Sequence, residues 1–596
     1  MNKPVSPADL PVWDLSDLYA SPGDPLLAAD LQAGRALVNE LATLEGKFLA
    51  ARADPATLGR LIDRAARLYE DATNKLGSVG AYAQLAASCD RTDPAWAKLQ
   101  ADLQQKVVEI STPSLFLSLE LNQLEDAEIE AALQAAPEAG RWRPWLRRLR
   151  LARPHELSHE LEQLFLETAP GRTQWVRLYD ETLARMKIGV GKETLTLPEV
   201  LNRMSDPKPE RRKAAAEGLA ETLGEALSVL SLCLNTVAMD KAVEDRWRKF
   251  ATPTASRHLA NEVDGESVDA MAEAVAEAYP RLSHRWYALK AKALKKPRLD
   301  HWDRNAPIET TAPEPFDWDR AKVVVLDSFR DLGGDFADRA GTFFQRPWID
   351  ARPRPGKQSG AYCHPVTADR HPYVFLNYMG ERRDVLTLAH ELGHAVHQTL
   401  AAPAGTLLAD TPLTLAETAS IFAEGLTFDR LLDASSKQAQ RGLLAGRIDD
   451  GMNTVVRQIA FHRFETRFHA ERASGEVDPE RIGQIWLEEM GASLGPAITL
   501  NPGYERYWGY VSHFFHTPFY VYAYAFGDLL VSALMQRRQE HPEGFAALYR
   551  ELLAAGGTKT YVEALKPFGL NPRDPAFWRL GLARLEGLID RFEALK

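Results

Sequence analysis

Apolar residues recur every three or four positions along most of this chain, and that spacing constrains its fold more than any other feature. Leu27–Ala53 (LAADLQAGRALVNELATLEGKFLAARA) is a typical stretch. A 3.6-residue period puts such side chains on one face of a helix, so a mainly α protein is expected. Strand-like runs are few: TLTLPEV from Thr194, and HPYVFLNYMG from His371 to Gly380, where Val, Phe and Tyr cluster between turn-formers. With 596 residues and 45% hydrophobic content, there is apolar material for large cores. Pro/Gly-rich stretches at Pro297–Pro315 and Ala351–Gly360 read as long connections. A first boundary is placed near residue 200, giving an N-terminal helical region, 1–200, and a second region, 201–596.

Charge removes several functions. Lys and Arg total 71 against 82 Asp and Glu, a net −11, which argues against a chain that grips nucleic acid or anionic lipid by general attraction. The one basic stretch, Arg141–His155 (RWRPWLRRLRLARPH), reads as a helix with Trp145, Leu146 and Leu149 inward and Arg147, Arg148 and Arg150 wet, and acidic residues follow at once. Neither nucleic acid nor membrane is expected as a partner. Cys89, Cys233 and Cys363 are too few and scattered for a disulfide framework, and the Pro and Asp residues of MNKPVSPADLPVWDLSDLY interrupt any apolar leader segment, so a cytoplasmic location is expected. No oligomeric state follows. Tyr507–Gly527 lacks Asp, Glu, Lys and Arg and is long enough to span a bilayer. Its imidazoles, proline and tyrosine hydroxyls are costly in hydrocarbon, so this run needs an explanation inside a water-soluble fold.

The segment ERRDVLTLAHELGHAVHQTL holds His390, Glu391 and His394 as HExxH. Residues four apart stack on one face of a helix, so both imidazoles can occupy two corners of a tetrahedral zinc site. Glu391 lies about 100° around the helix, beside the metal, where a carboxylate can accept a proton from a metal-bound water. Chance would give about 0.03 such matches in a chain of this composition. Val385, Leu388, Leu392 and Ala395/Val396 supply an apolar stripe, and Pro403 and Gly405 mark its end.

One zinc ion per chain needs a third protein ligand that leaves a position open. TPLTLAETASIFAEGLTFDRLL offers Asp410, Glu417 and Glu424. Glu417 sits in an apolar helical run, where an unpaired carboxylate is expensive unless a cation neutralises it. It is the expected third ligand, although Thr414 and Glu417 also have the spacing of a helix capping box. Glu424, two turns on, can orient a ligand histidine. His397 reads either as a packed, hydrogen-bonded histidine or as a neighbour of the site. In the uncharged run, His513, His516, Tyr520, Tyr522 and Tyr524 are neutral donors suited to a developing oxyanion, and an aromatic stripe of this kind can equally be core.

These residues resemble the oligoendopeptidase F branch of the thimet oligopeptidase-like zinc metallopeptidases. The likeness runs through WDLSDLY at Trp13, RPHELS at Arg153, SGAYC at Ser359, HPYVFLNY, HELGHAVH, PLTLAETAS, HFFHTPFYVYAYAFG and PAFWRLGLARLEGLIDRFEAL. It implies a two-lobed helical enzyme with a deep central channel, walled partly by the N-terminal region, and a small sheet beside the HExxH helix. The channel would admit short peptides and exclude folded proteins. His390, His394 and Glu417 fall on the family's zinc ligands and Glu391 on its general base. His513, Tyr520 and Tyr524 fall on the region that stabilises the transition state, and the strand with Phe375, Asn377 and Tyr378 would hold substrate backbone extended. HTPFY stands where thimet-type members carry a glycine-rich loop. The expected activity is hydrolysis of internal bonds in short peptides. The rivals are a zinc carboxypeptidase or dipeptidyl carboxypeptidase and, in another class, a non-catalytic peptide-binding protein with a structural metal.

Overall fold

The computed structural model describes residues 10–308 and 315–595. Helices dominate, as the periodicity requires, and the described strands are short: β1 (Ile188–Val190), β2 (Glu193–Leu195), β3 (Leu299–Asp300), β4 (Ile349–Asp350), β5 (Tyr362–His364), β6 (Tyr373–Phe375) and β7 (Ile498–Thr499). β1 pairs antiparallel with β2, β3 pairs parallel with β7, and the remaining three form a sheet in the order β4-β6-β5. Two compact units are each built from three separated segments. One comprises Met1–Arg153, Pro313–Leu431 and His541–Gly569; the other comprises Pro154–Ala312, Leu432–Glu540 and Leu570–Lys596. Segments distant in sequence thus interleave, with the first changeover at Arg153/Pro154, whereas the division at residue 200 supposes contiguous blocks.

In the first unit, aspartates followed by proline start the long N-terminal helices. Asp54 precedes Pro55–Cys89 and accepts from the Thr57 N–H, and Asp93 precedes Pro94–Ser111 and accepts from the Ala95 N–H. The Trp13–Tyr19 segment packs on β6: the Trp13 ring lies 5.8 Å from Tyr373 and 5.4 Å from Phe375, within a core shared with Val79 and Tyr82. Packing aromatic area against a three-residue strand gives the small sheet a buried face. The basic stretch differs from its expectation at one residue. Trp145 and Leu146 are buried as expected, but the Arg150 side chain turns inward too, 8% exposed, donating to the Leu121 and Leu124 carbonyls and pairing with Asp126. A free helix C-terminus at Gln123 supplies those acceptors, which favours an inward guanidinium.

In the second unit the helix Pro575–Ala594 packs along Tyr522–Glu540. The uncharged run is divided between a turn at Tyr504–Tyr510, a short helix His513–His516 and the start of Tyr522–Glu540. Among the described residues no single helix is long and apolar enough to cross a membrane.

Candidate metal centre and active site

The HExxH residues lie on the helix Arg382–Ala401 of the first unit. Glu381 and Asp384 cap it reciprocally, and Gly405, at φ 91°, turns the chain beyond its end. Its buried stripe, Val385, Leu388, Leu392 and Val396, faces β5 and β6 and the helices Gly334–Gln345 and Phe545–Ala554. Each such side chain contributes about 1.5–3 kcal/mol by leaving water, enough to hold a helix that also carries buried ionisable groups.

Glu417 arrives from the chain that follows. It is not in mid-helix, as expected, but at the junction between the turn Leu413–Ala416 and the helix Thr418–Asp433. There the exposed N–H groups of a helix start favour a carboxylate. Ser420 donates to Glu417 Oε2 at 2.8 Å, and Tyr549 donates to the Thr418 carbonyl at 3.0 Å, fixing the junction. The capping-box alternative falls, because the buried Thr414 hydroxyl has no partner among the described residues. Gly393 makes the approach possible: a Cβ there would lie 2.6 Å from both the Ala419 carbonyl oxygen and Ser420 Cα.

His390 Nε2 and His394 Nε2 lie 3.4 and 3.5 Å from Glu417 Oε2. One donor atom from each of the three residues falls within 4.8 Å of the others. Ligands at about 2.0–2.1 Å from a tetrahedral ion are about 3.3–3.4 Å apart, so these donors fit such an ion with little movement. Glu424 Oε2 lies 3.3 Å from His390 Nδ1, which leaves Nε2 as the free donor when Nδ1 carries the proton. The three groups shift one another's protonation. Burial opposes charge on His390, yet its bonds to Glu417 and Glu424 push its pKa up to about 10. Burial holds His394 down at about 4. Burial would raise Glu417, but its contacts with the two imidazoles and Ser420 bring it to about 2. Glu391, only 6% exposed, is pushed up to about 7 by burial, with the charge of Glu417 adding and that of His390 opposing. His397 is buried, lies 3.4 Å from the Thr411 hydroxyl, and is held near 4 by burial.

The expected substrate strand needs correcting. Phe375 is in the central strand, opposite Asp350 of β4 on one side and Tyr362 of β5 on the other. The Leu376 and Tyr378 N–H groups donate to Asp350 and Ala351, Asn377 Nδ2 donates to the Gln358 carbonyl at 2.9 Å, and the Tyr378 hydroxyl donates to Phe316. With those groups occupied, Phe375–Tyr378 has no open edge for an extended peptide. β5 does: among the described strands its only neighbour is β6. Sequence reasoning missed β5 because SGAYCHP is short and flanked by loop-formers. Its Cys363 thiol is pushed well up by burial, with the Glu391 charge adding, which sets β5 beside the HExxH helix.

The expected donors in the second unit divide. His513 Nε2 lies 3.0 Å from the Tyr524 hydroxyl, and the Tyr520 ring neighbours both. Tyr524 is 41% exposed; burial raises its pKa and lowers that of His513, keeping both neutral. Tyr522, 1% exposed, is turned inward, its hydroxyl accepting from Asn261 at 2.9 Å and meeting His258 Nδ1 at 3.0 Å. His516 Nε2 meets Asp180 at 2.7 Å. The turn before Tyr520 is fixed by Phe519, at φ 62°, whose N–H donates at 2.8 Å to the buried Glu465, a residue that no local pattern marks in advance. A cavity of about 340 Å³ lined by Asn305, Asp449, Asp450 and Asn453 contains none of the expected site residues.

Comparison with known proteins places the chain among peptidases. The model of "Peptidase family M3" matches residues 334–583, and that of "Oligopeptidase F" matches residues 120–188. Oligopeptidase PepF of Bacillus subtilis is 23% identical over 603 residues, covering 98% of this chain and 87% of that protein. Chromosomal oligoendopeptidase F of Lactococcus lactis subsp. cremoris is 25% identical, covering 66% and 65%. In fold, a solved protein from Chlamydophila abortus superposes with a TM-score of 0.87 at 19% identity over the whole of both chains, and oligoendopeptidase-F from Enterococcus faecium with 0.68 at 19%, covering 96% and 99%. The chain is therefore a helical metallo-oligopeptidase of peptidase family M3. Within it, the chain belongs to the oligoendopeptidase F family.

Proposed function

We propose that this peptidase holds one zinc ion per chain through His390, His394 and Glu417 and hydrolyses internal bonds of short peptides in the cytoplasm. The observation that carries the reading is the triangle of two imidazole nitrogens and one carboxylate oxygen with Glu391 buried beside it. Two nitrogens and one oxygen suit zinc. A bound zinc ion would supply Lewis acidity, lowering the pKa of water and polarising the scissile carbonyl.

The remaining steps belong to the protein. Glu391, as carboxylate, takes a proton from the attacking water while its oxygen bonds to the carbonyl carbon; the same carboxyl then delivers that proton to the amide nitrogen as the C–N bond breaks. Glu424 keeps His390 in the tautomer that presents Nε2. His513, Tyr520 and Tyr524 are neutral donors matched to a carbonyl oxygen that is gaining charge, and we assign them that role. The open edge of β5 is the reading for an extended substrate backbone. A channel that admits only flexible peptides, walled partly by the N-terminal region, belongs to the same reading.

A peptide blocked at both ends tests the endopeptidase reading: internal cuts, mapped by mass spectrometry, are expected, and a requirement for a free terminus would favour the carboxypeptidase or dipeptidyl carboxypeptidase instead. A protein that retains metal yet cleaves nothing would be the non-catalytic binding protein.

A further inference from the structure

Two of the three proposed ligands share one helix, whose geometry sets their spacing; Glu417 stands on a separate arm, Asp410–Thr418, where no helical repeat sets its distance from the imidazoles. An arm that wanders until an ion orders it binds that ion more weakly than one already in place. This arm is stiff. Pro412, at φ −55°, accepts on its carbonyl from the Leu415 and Ala416 N–H groups at 2.8 and 2.9 Å, and the Glu417 carbonyl accepts from Ile421 at 3.1 Å. The Ala416 main chain hydrogen-bonds both His394 and His397 and in each case favours the protonated imidazole, as a carbonyl acceptor does. The arm therefore carries Glu417 and also a carbonyl that orients His394, as Glu424 orients His390.

Both ends of the arm are held by segments remote in sequence but in the same unit. At the first end Arg148, from the basic stretch, donates to the Asp410 carbonyl at 2.7 Å and to Asp410 Oδ2 at 3.0 Å. The Asp410 side chain is 74% exposed, so the ion pair by itself adds little, and the bond to the main chain is what fixes the path. The Gly557 N–H donates to the Leu408 carbonyl at 2.8 Å, and a Cβ at Gly557 would lie 2.3 Å from the Asp410 carbonyl oxygen and 2.8 Å from Arg148 Nη1, so glycine is what lets the guanidinium in. At the other end Tyr549, 1% exposed and packed on the Phe422 and Phe545 rings at 4.6 and 5.7 Å, donates to the Thr418 carbonyl at 3.0 Å. Tyr549 lies on the helix Phe545–Ala554, which runs on into Gly557 and also packs against the helix that carries His390 and His394. One framework thus holds both the imidazoles and the arm.

We propose that Arg148 and Tyr549 are positioning residues for the metal centre: they clamp the two ends of the Asp410–Thr418 arm, so that Glu417 meets His390 and His394 without reordering when an ion binds. This rests on the ligand set proposed above.

The test is zinc titration of the metal-free full chain against a chromophoric chelator, with the visible absorption of the cobalt-substituted protein as a second readout. Tyr549→Phe and Arg148→Met are each expected to raise the zinc Kd about 10–100-fold and to alter the cobalt bands. Asp410→Asn, which keeps the main-chain bond, and Ile62→Val, a core change in the same unit, should leave both readouts at wild-type values. An unchanged Kd in Tyr549→Phe and Arg148→Met, or an equal loss in Ile62→Val, would overturn the proposal and leave the two residues a role in stability alone. If Arg148→Met does not fold, Arg148→Lys, which cannot hold carbonyl and carboxylate together, takes its place. Glu417→Ala separates this proposal from the one it rests on: a wild-type Kd there would remove Glu417 from the ligand set, whereas a site lost in Glu417→Ala beside unchanged Kd values in the clamp variants would sink the clamp alone.

Discussion

The metal-centre residues and the tyrosine run make an instructive contrast. In the first unit, every expected ligand points to one spot: His390, His394 and Glu417 converge, and Glu424 backs His390. In the second unit, the neutral His and Tyr donors spread along the twelve residues His513–Tyr524 scatter. Tyr524 and His513 meet each other near solvent, whereas Tyr522 is a core residue hydrogen-bonded to His258 and Asn261, and His516 is tied to Asp180. A fixed i, i+4 spacing on one capped helix dictates direction, whereas a run broken by Pro518 and the left-handed Phe519 does not.

The largest expected effect tests the convergent region. Glu391→Gln should lower kcat by about 10²–10⁴ while retaining metal, read by peptide turnover together with metal analysis; undiminished turnover would remove Glu391 from the mechanism. Next, the scattered region should split. Tyr524→Phe is expected to reduce kcat by about 10- to 100-fold with little change in melting temperature. Tyr522→Phe should leave kcat near wild type but cost about 1–3 kcal/mol of stability, because His258 and Asn261 lose their partner. Equal kcat losses in both would erase the distinction. Gly393→Ala should then cost about 1–3 kcal/mol and weaken metal retention, since its Cβ meets backbone at 2.6 Å; thermal unfolding with and without chelator checks this.

Two pH dependences follow, smaller in size. Glu391 must be ionised to act as a base, so activity falls as pH drops through its pKa. Burial sets that value at about 7, and a cation in the centre moves it lower, so the acid limb of kcat/KM should lie below about 7. Glu465, pushed up to about 8 mainly by burial, has the opposite consequence for stability. A raised carboxyl pKa favours the folded state at low pH, and that contribution is lost as pH rises from the unfolded value near 4.5 to about 8. Glu465→Gln should therefore gain on wild type by about 1 kcal/mol per pH unit across that window, in melts at pH 5, 6.5 and 8; a constant offset would show that Glu465 titrates normally.

The same contrast explains what could be read in advance. The HExxH helix was legible because spacing, capping and apolar stripe are local. Glu417 was found by its chemistry, although its surroundings were misjudged: an apolar flank looked like mid-helix, and the break at Thr418 depends on Tyr549 and Ser420. The substrate strand was misplaced because strand propensity marks HPYVFLNY as β but carries no information about which edges are paired. Arg150 was placed outward by helical phase, and the free carbonyls of a neighbouring helix drew it in.

Sequence alone determined the helical class through its period, marked the candidate ligands and their neighbouring carboxylate through spacing and chemistry, and carried the motifs on which the family resemblance rests. Tertiary structure alone decided which tyrosines face solvent, which strand keeps an open edge, and which residues hold the arm that carries Glu417. Those properties depend on what distant segments occupy, and no local pattern records the partner that a side chain finds across hundreds of residues.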